Sequence, residues 1–257
     1  MLCGLIAGMA ANGLKPVFAV YSSFLQRGYD QLIHDIAIQN LPVTICADRA
    51  GIVGADGETH QGLFDLAFLS HIPNFVVMSP KNFEELEKML EFSVDLNKPT
   101  AIRYPRGGEG KIEFKQCAKI DLGKAELVKK GNDLTIVAIG KMVERAMEVS
   151  EELEKDGIST EIINARFLKP LDKDTIIESI EKTKNVITLE DGLLKGGLAS
   201  AVLETINQSN LKQVNVKTIG YDDCFVKHGK VEELEEKYGL SKDKIVNIVK
   251  KEIKALK

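Results

Sequence analysis

Residues Pro42–Leu69 read PVTICADRAGIVGADGETHQGLFDLAFL, and this stretch decides the fold. Pro42–Ala47 is a short apolar run with β-branched members, the pattern of a buried strand, and Leu63–Leu69 resume a mostly apolar helical pattern. The charged run between them, Asp48 to Gly62, is therefore expected to be a strand-to-helix loop. In open α/β sheets such loops, at the carboxyl ends of the strands, are where ligands bind. The loop gathers three acids, an arginine and a histidine among four glycines, which let the backbone approach a ligand closely.

Each polar member of the loop has a second reading. Arg49 is either a solvated charge on the loop rim or an anion ligand, since a guanidinium fork suits phosphate or carboxylate. Asp56, between Ala55 and Gly57, could be a turn residue whose carboxylate bonds nearby backbone N–H groups. Glu58, Thr59 and His60 could open the next helix, with Thr59 or Asp56 as its cap. Imidazole is the side chain whose ordinary charge change falls near neutrality, so His60 is a candidate for proton transfer or for donating to an oxyanion. Clustering of these groups favours a site.

Working outward, strand and helix patterns alternate, the mark of βαβ units and a mostly parallel sheet. Strands are predicted over Pro16–Val20, Pro42–Ala47, Asn74–Met78 and Thr100–Arg103, and helices over Leu2–Asn12, Leu25–Gln39, Leu63–Ser70 and Asn82–Leu96. From Arg106 to Lys130 the pattern loosens into a glycine- and lysine-rich stretch with a short strand at its end. A second alternation follows: strands over Leu134–Ile139, Thr160–Asn164, Asn185–Leu189 and Val214–Ile219, with helices over Val143–Lys155, Lys173–Thr183 and Leu198–Gln208. Helices near Val231–Tyr238 and Ser241–Leu256 close the chain. The fold class is α/β, two successive mostly parallel-sheet domains, at 1–110 and 125–257 with a linker at 111–124.

The composition agrees with a globular reading. The 257 residues are comfortable for two domains, and a formal charge of −4 argues against a nucleic-acid surface. No apolar run is long enough to span a bilayer, and the apolar start lacks a basic region before it, so a cytoplasmic location is expected. Cysteines at 3, 46, 117 and 224 fit neither a CxxC metal pattern nor a small disulfide framework.

A second dense segment, YSSFLQRGYDQ at Tyr21–Gln31, directly follows the strand Pro16–Val20. Tyr21 and Phe24 at the carboxyl end of a strand could stack on a flat heterocycle or cap the core. Arg27 could meet an anion or pair with Asp30. His34 and Asp35, on the predicted helix, suit packing or a solvent-facing hydrogen bond better than chemistry. The glycine pair Gly196–Gly197 could cradle a phosphate on a helix N-terminus, but the spacing is not GxGxxG and a tight strand-to-helix turn is the better reading.

The runs YSSFLQRGYDQLIHDIAIQNLPV, DRAGIVGADGETHQGLFDLAFL, IPNFVVMSPKN and AIRYPRG, in this order and spacing, closely resemble the 1-deoxy-D-xylulose-5-phosphate synthase family of transketolase-like thiamine diphosphate enzymes. The resemblance continues through LKPLD at Leu168–Asp172, EDGLLKGGLASAV at Glu190–Val202 and FVKHGKVEELEEKYGL at Phe225–Leu240. It covers essentially the whole chain. Related subunits, such as the pyruvate dehydrogenase beta chain, share the architecture but not the paired LQRGYDQ and GADGETHQG wording.

The resemblance implies an activity and its parts. Family members join pyruvate to glyceraldehyde 3-phosphate with loss of carbon dioxide, using thiamine diphosphate and Mg, on the way to isoprenoids and thiamine. Phe24 matches the residue stacked on the aminopyrimidine, with Tyr21 beside it. Arg27, Asp56 and His60 match residues around the pyruvate-derived group, and Arg49 and Arg106 match the pair on the aldehyde's phosphate, with Arg103 as a close alternative to Arg106. The family has three α/β domains, and this sequence resembles the last two: a pyrimidine-binding domain, amino-terminally shortened, and a carboxy-terminal domain. The activating glutamate of a GIAEQH-type segment and the metal-binding GDG motif have no match here, so the isolated chain is expected to be inactive. Family members are homodimers, and a separate first-domain polypeptide is a further expected partner. A separately encoded subunit, or a small-anion binding module using Arg49 and Arg106, are the alternatives. On this reading residues 1–110 alone are aggregation-prone or held by a partner, and residues 125–257 fold independently.

Overall fold

The computed structural model describes residues 2–114, 116–117 and 119–255. It contains two five-stranded sheets. In the first half the elements run α1 (Leu2–Ala11), β1 (Val17–Tyr21), α2 (Ser22–Leu25), α3 (Tyr29–Gln31), β2 (Thr44–Asp48), α4 (Asp65–Ser70), β3 (Val76–Met78), α5 (Phe83–Asp95) and β4 (Thr100–Arg103). The second half follows with β5 (Glu126–Lys129), β6 (Leu134–Ala138), α6 (Met142–Glu154), β7 (Thr160–Asn164), β8 (Phe167–Lys169) and α7 (Lys173–Thr183). It ends with β9 (Asn185–Leu193), α8 (Leu198–Gln208), β10 (Asn215–Tyr221), α9 (Val231–Tyr238) and α10 (Lys242–Ala255).

The first sheet has the order β1-β2-β4-β3-β8, and all its pairings are parallel except β3 with β8. The second, β10-β9-β6-β7-β5, is parallel except for β5 against β7. Central strands covered on both faces read as continuous apolar runs. Accordingly β4 and β6 are buried at every residue. Helix starts are specified locally: the Asn82 side chain accepts from Glu85 N at 3.0 Å and opens α5, and Asp172 accepts from Thr175 N at 3.3 Å and opens α7.

One predicted helix departs from uniform winding. Where Leu25–Gln39 reads as a single helix, the chain turns helical at Ser22 and then passes through a 3-10 turn at Gln26–Gly28, the short α3 and a π-helical turn at Leu32–Ala37. Gly28 faces Cys3 so closely that an added Cβ would lie 2.8 Å from its Sγ, and this contact with α1 accompanies the change of winding.

The two halves are joined more tightly than their sequences suggest. Although β8 belongs to the second half, it crosses over and pairs with the edge strand of the first sheet, Val77 opposite Lys169 and Met78 opposite Phe167. One apolar cluster combines Cys3, Ile6, Ile45, Leu66 and Leu69 with Val137, Ile163, Ile180, Leu198 and Val202. A polar seam lies beside it. Lys81 Nζ meets Glu126 at 2.6 Å and Glu85 at 3.3 Å, Arg166 Nε meets Glu85 at 2.7 Å, and Asn164 Nδ2 donates to both carboxylates. All five strands of the second sheet lie within residues 126–221, and the same half lends β8 and core residues to the first sheet, so it is the first half whose layers are completed by the second.

Candidate active site

Parallel pairing of β1 with β2 places Tyr21 opposite Asp48, so the segments after both strands emerge side by side at the carboxyl edge of the first sheet. Arg49 follows at once in the left-handed region, φ 57°, with its N–H bonded to Asp48 Oδ1 at 2.7 Å. That turn lays the Arg49 guanidinium 4.0 Å from the centroid of the Tyr21 ring. Its Nη1 donates to Asp56 Oδ2 at 2.9 Å, and Arg106 Nη1 donates to the same oxygen at 3.1 Å. Two guanidinium groups thus converge on one carboxylate and keep further N–H donors for an anion.

Beside this pair stands an aromatic shelf. The Phe24 ring is half exposed, with its centroid 5.2 Å from that of Tyr21 and 5.4 Å from that of His60, the latter edge-on. Thr59 Oγ1 and His60 Nδ1 are hydrogen-bonded at 2.9 Å, which turns Nε2 to the other side of the ring. Arg27 is exposed on the 3-10 turn at Gln26–Gly28 and makes no ion pair among the described residues; Asp30 pairs instead with His34 Nδ1, at 3.0 Å.

The loop is closed at its neck. Gly51 and Gly62 exchange two backbone hydrogen bonds of 2.7 Å each. An added Cβ would lie 2.4 Å from Asp191 Oδ2 at Gly51 and 2.3 Å from the Arg49 carbonyl oxygen at Gly62. Residues Gly54–Asp56 form a 3-10 turn and the next helix starts only at Asp65, so neither Asp56 nor Thr59 caps it.

Arg103 and Arg106 have distinct environments. Arg103, on the last residue of β4, is fully buried, with Nε 3.2 Å from Asp65 Oδ2 and Nη1 on Asp191 Oδ1. Burial disfavours its charge, but Asp191 and Asp65 outweigh this and raise its pKa. Burial likewise pushes the Asp191 carboxyl up, and the Arg103 charge brings the net shift below the ordinary range. Arg103 is held by carboxylates between the sheets, whereas Arg106 is exposed at the loop.

Two residues that the sequence reading missed support these parts. Gln61 is buried and bonds Val53 N at 2.7 Å and the Lys227 carbonyl at 3.1 Å. Glu190 accepts from Leu198 N and Ala199 N, both at 2.8 Å, and so fills the N-terminus of α8 behind Gly197. Burial, opposed by those two N–H groups, pushes the Glu190 carboxyl up to about 8. The glycine pair is thus a turn around a protein carboxylate. Cys46, behind the site on β2, has its thiol pushed up to about 11 by burial and is not poised as a nucleophile. No three His, Cys, Asp or Glu side chains come together as metal ligands among the described residues. Nor, among those residues, is any helix long and apolar enough to cross a membrane.

An aromatic shelf, paired guanidinium groups and an imidazole at one sheet edge suit a flat ring and an anionic substrate. Residues 1–108 match the transketolase pyrimidine binding domain, and residues 123–245 match the transketolase C-terminal domain. A split gene transketolase, solved as an inactive beta4 tetramer, superposes with a TM-score of 0.87 at 31% identity, covering 97% of this chain and 79% of that one. The chain belongs to the transketolase family. Its transketolase-family relatives include the 1-deoxy-D-xylulose-5-phosphate synthase of Halothermothrix orenii, 51% identical over 243 residues, which are 94% of this chain and 38% of that protein. The synthase of Clostridium tetani is 46% identical over 245 residues, 95% of this chain and 39% of that protein. The chain spans about two-fifths of the length of these curated relatives. Transketolase from Campylobacter jejuni shares the fold, with a TM-score of 0.76 at 22% identity over 95% of this chain and 37% of that one. In transketolase terms, the shelf and the two arginines sit on the pyrimidine-binding domain.

Proposed function

We propose that this chain is the carboxy-terminal, substrate-side part of a 1-deoxy-D-xylulose-5-phosphate synthase, which condenses pyruvate with glyceraldehyde 3-phosphate and releases carbon dioxide. The observation that carries this reading is the convergence of Arg49 and Arg106 on Asp56, beside the Phe24–His60 pair, in a chain 51% identical to such a synthase. Thiamine diphosphate, when bound, supplies the carbon nucleophile and the electron sink for decarboxylation. The half-exposed Phe24 ring, backed by Tyr21, fits its flat aminopyrimidine. By the family resemblance the diphosphate and Mg belong to a first domain, and this chain spans about two-fifths of the length of its curated relatives.

Each residue then has a task. Arg49 and Arg106 bind the dianionic phosphate of the aldehyde, with Asp56 holding both guanidinium groups in place until the phosphate arrives. His60, oriented through Nδ1 by Thr59, presents Nε2 to the substrate and moves a proton at the aldehyde oxygen as it becomes a hydroxyl. Arg27, exposed and near Phe24 in sequence, meets the carboxylate of pyruvate. The first domain is supplied by a separate polypeptide, a reading favoured by the 79% coverage of a split gene transketolase chain. The assembly is a cytoplasmic enzyme built on a homodimeric core.

The test is an NMR titration of the chain with glyceraldehyde 3-phosphate. The His60 ring signals move on addition of ligand, and the response is lost in Arg49→Ala and Arg106→Ala. Unchanged His60 signals in the wild type, or an undiminished response in both variants, would overturn the assignment.

A further inference from the structure

We propose that Gln61 is a positioning residue through which the carboxy-terminal domain sets the pose of the Asp56 and His60 turn. The inference deepens the proposed function, since it rests on reading those two side chains as substrate groups. The excursion from Gly51 to Gly62 is tied at its neck by the glycine pair, and at Asp56 by Arg49 and Arg106, both of them residues of the first half. The tip is also clasped by residues more than 160 positions away, with Gln61 and Lys227 separated by 166. The Gln61 side chain uses both ends of its amide: Oε1 accepts from Val53 N at 2.7 Å, and Nε2 donates to the Lys227 carbonyl at 3.1 Å.

The rest of the clasp is backbone against backbone. Gly229 N meets the Gly54 carbonyl at 3.4 Å. An added Cβ at Gly54, where φ is +71°, would lie 2.9 Å from the Gly229 carbonyl oxygen and 3.2 Å from Val231 Cγ2. At Gly57, next to Asp56, an added Cβ would touch His228 Cβ at 3.4 Å. The turn that carries Asp56 is therefore seated on the Lys227–Val231 segment, and Gln61 is the one side chain hydrogen-bonded to both sides of that contact among the described residues. Gln61 is 3% exposed and Val53 is buried, so losing the amide strands the Val53 N–H and unties the loop from Lys227. This gives the carboxy-terminal domain a part in the site, through the direction in which Asp56 and His60 face.

The test compares the intact chain with Gln61→Leu and Gln61→Glu by amide hydrogen exchange and by the His60 ring resonances, neither of which needs a ligand. In Gln61→Leu, exchange across residues 53–61 accelerates by about tenfold or more, the scale of an unpaired buried amide. Core amides of β6 and β9 keep their wild-type rates, and the His60 ring signals shift. Gln61→Glu retains the acceptor for Val53 N but loses the donor to Lys227. At neutral pH it loosens the same segment and shifts the His60 ring signals, and in acid both return toward wild type at the same pH once the introduced carboxyl carries a proton to donate; a merely structural bond would leave the His60 signals in place. Wild-type exchange over 53–61 with unmoved His60 signals in both variants overturns the proposal, as does acceleration spread evenly over the whole chain. If Gln61→Leu fails to fold, Gln61→Glu decides the matter by the same readouts. Failure of the substrate assignment itself is seen separately, in the titration with glyceraldehyde 3-phosphate.

Discussion

Replacing Arg103 by Met tests how the two halves are held together under the site. The guanidinium bridges Asp65 on α4 and Asp191 on β9, and all three side chains are 1% exposed or less. At the 3.2 Å of the Asp65 contact, Coulomb's law with an effective dielectric of about 20 gives ~5 kcal/mol of attraction before desolvation is subtracted. Methionine fills much of the arginine's volume but leaves two buried carboxylates near one another without a cation. Removing one partner of a buried pair costs about 3–5 kcal/mol, mostly from the stranded charge. For a chain of this size that corresponds to a fall in Tm of roughly 6–20 °C. The sign of non-additivity carries the reasoning: adding Asp191→Asn to Arg103→Met removes one stranded charge and restores part of the loss. Urea unfolding of the two single variants and the double variant, at constant m, gives the three free energies. A loss below about 1 kcal/mol in Arg103→Met would refute the claim of a buried, charge-satisfied bridge. So would a double variant as unstable as the sum of the singles.

Three further outcomes follow from the same geometry. Gly51→Ala, at φ +76° with Asp191 Oδ2 2.4 Å from the new Cβ, costs about 2–4 kcal/mol by chemical denaturation, whereas Gly13→Ala, at φ +84° with nothing within 4 Å, costs only about 1 kcal/mol of backbone strain. Phe24→Ala, at an exposed ring, leaves the unfolding free energy in urea within about 0.5 kcal/mol of wild type and weakens thiamine diphosphate binding by the reconstituted enzyme about tenfold, measured by calorimetry. Asp191 and Glu126 both titrate below the ordinary carboxylate range: burial pushes each up, but Arg103 outweighs it at Asp191, and Lys81, Asn164 and Arg166 outweigh it at Glu126. A folded pKa below the unfolded one contributes stability that is present above about pH 4 and lost as pH falls through the folded value, so urea midpoints decline on acidification below that point and Asp191→Asn flattens the decline.

The strand–loop–helix reading of Pro42–Leu69 was legible because a buried parallel strand and an amphipathic helix leave different periodicities around a polar run. It corresponds to β2 and α4, and the structure brings Tyr21, Phe24, Arg49, Asp56, His60 and Arg106 together at the edge of that unit. Arg103 and Arg106, three residues apart, could not be told apart from sequence. What separates them is the pair of acids reaching Arg103 from α4 and β9, the second of them 88 positions away. Gln61 and Glu190 were missed for the same reason, since each is an ordinary polar residue whose buried partners lie on other elements. An acid following the mostly apolar, buried strand run Val186–Leu189 is the one local hint that Glu190 serves a backbone target. The three-residue strand Phe167–Lys169, running into Pro170, gives no periodicity to read, and its role in joining the sheets emerges only from the β3 register.

The most direct measurement is reconstitution. This chain is mixed with a separately produced first domain of a 1-deoxy-D-xylulose-5-phosphate synthase, with thiamine diphosphate and magnesium present, and product formation from pyruvate and glyceraldehyde 3-phosphate is followed. The account predicts turnover in the mixture, none from either polypeptide alone, and its loss with His60→Ala. Turnover by this chain alone, or no turnover from a mixture in which the two polypeptides are shown to be bound, would contradict it.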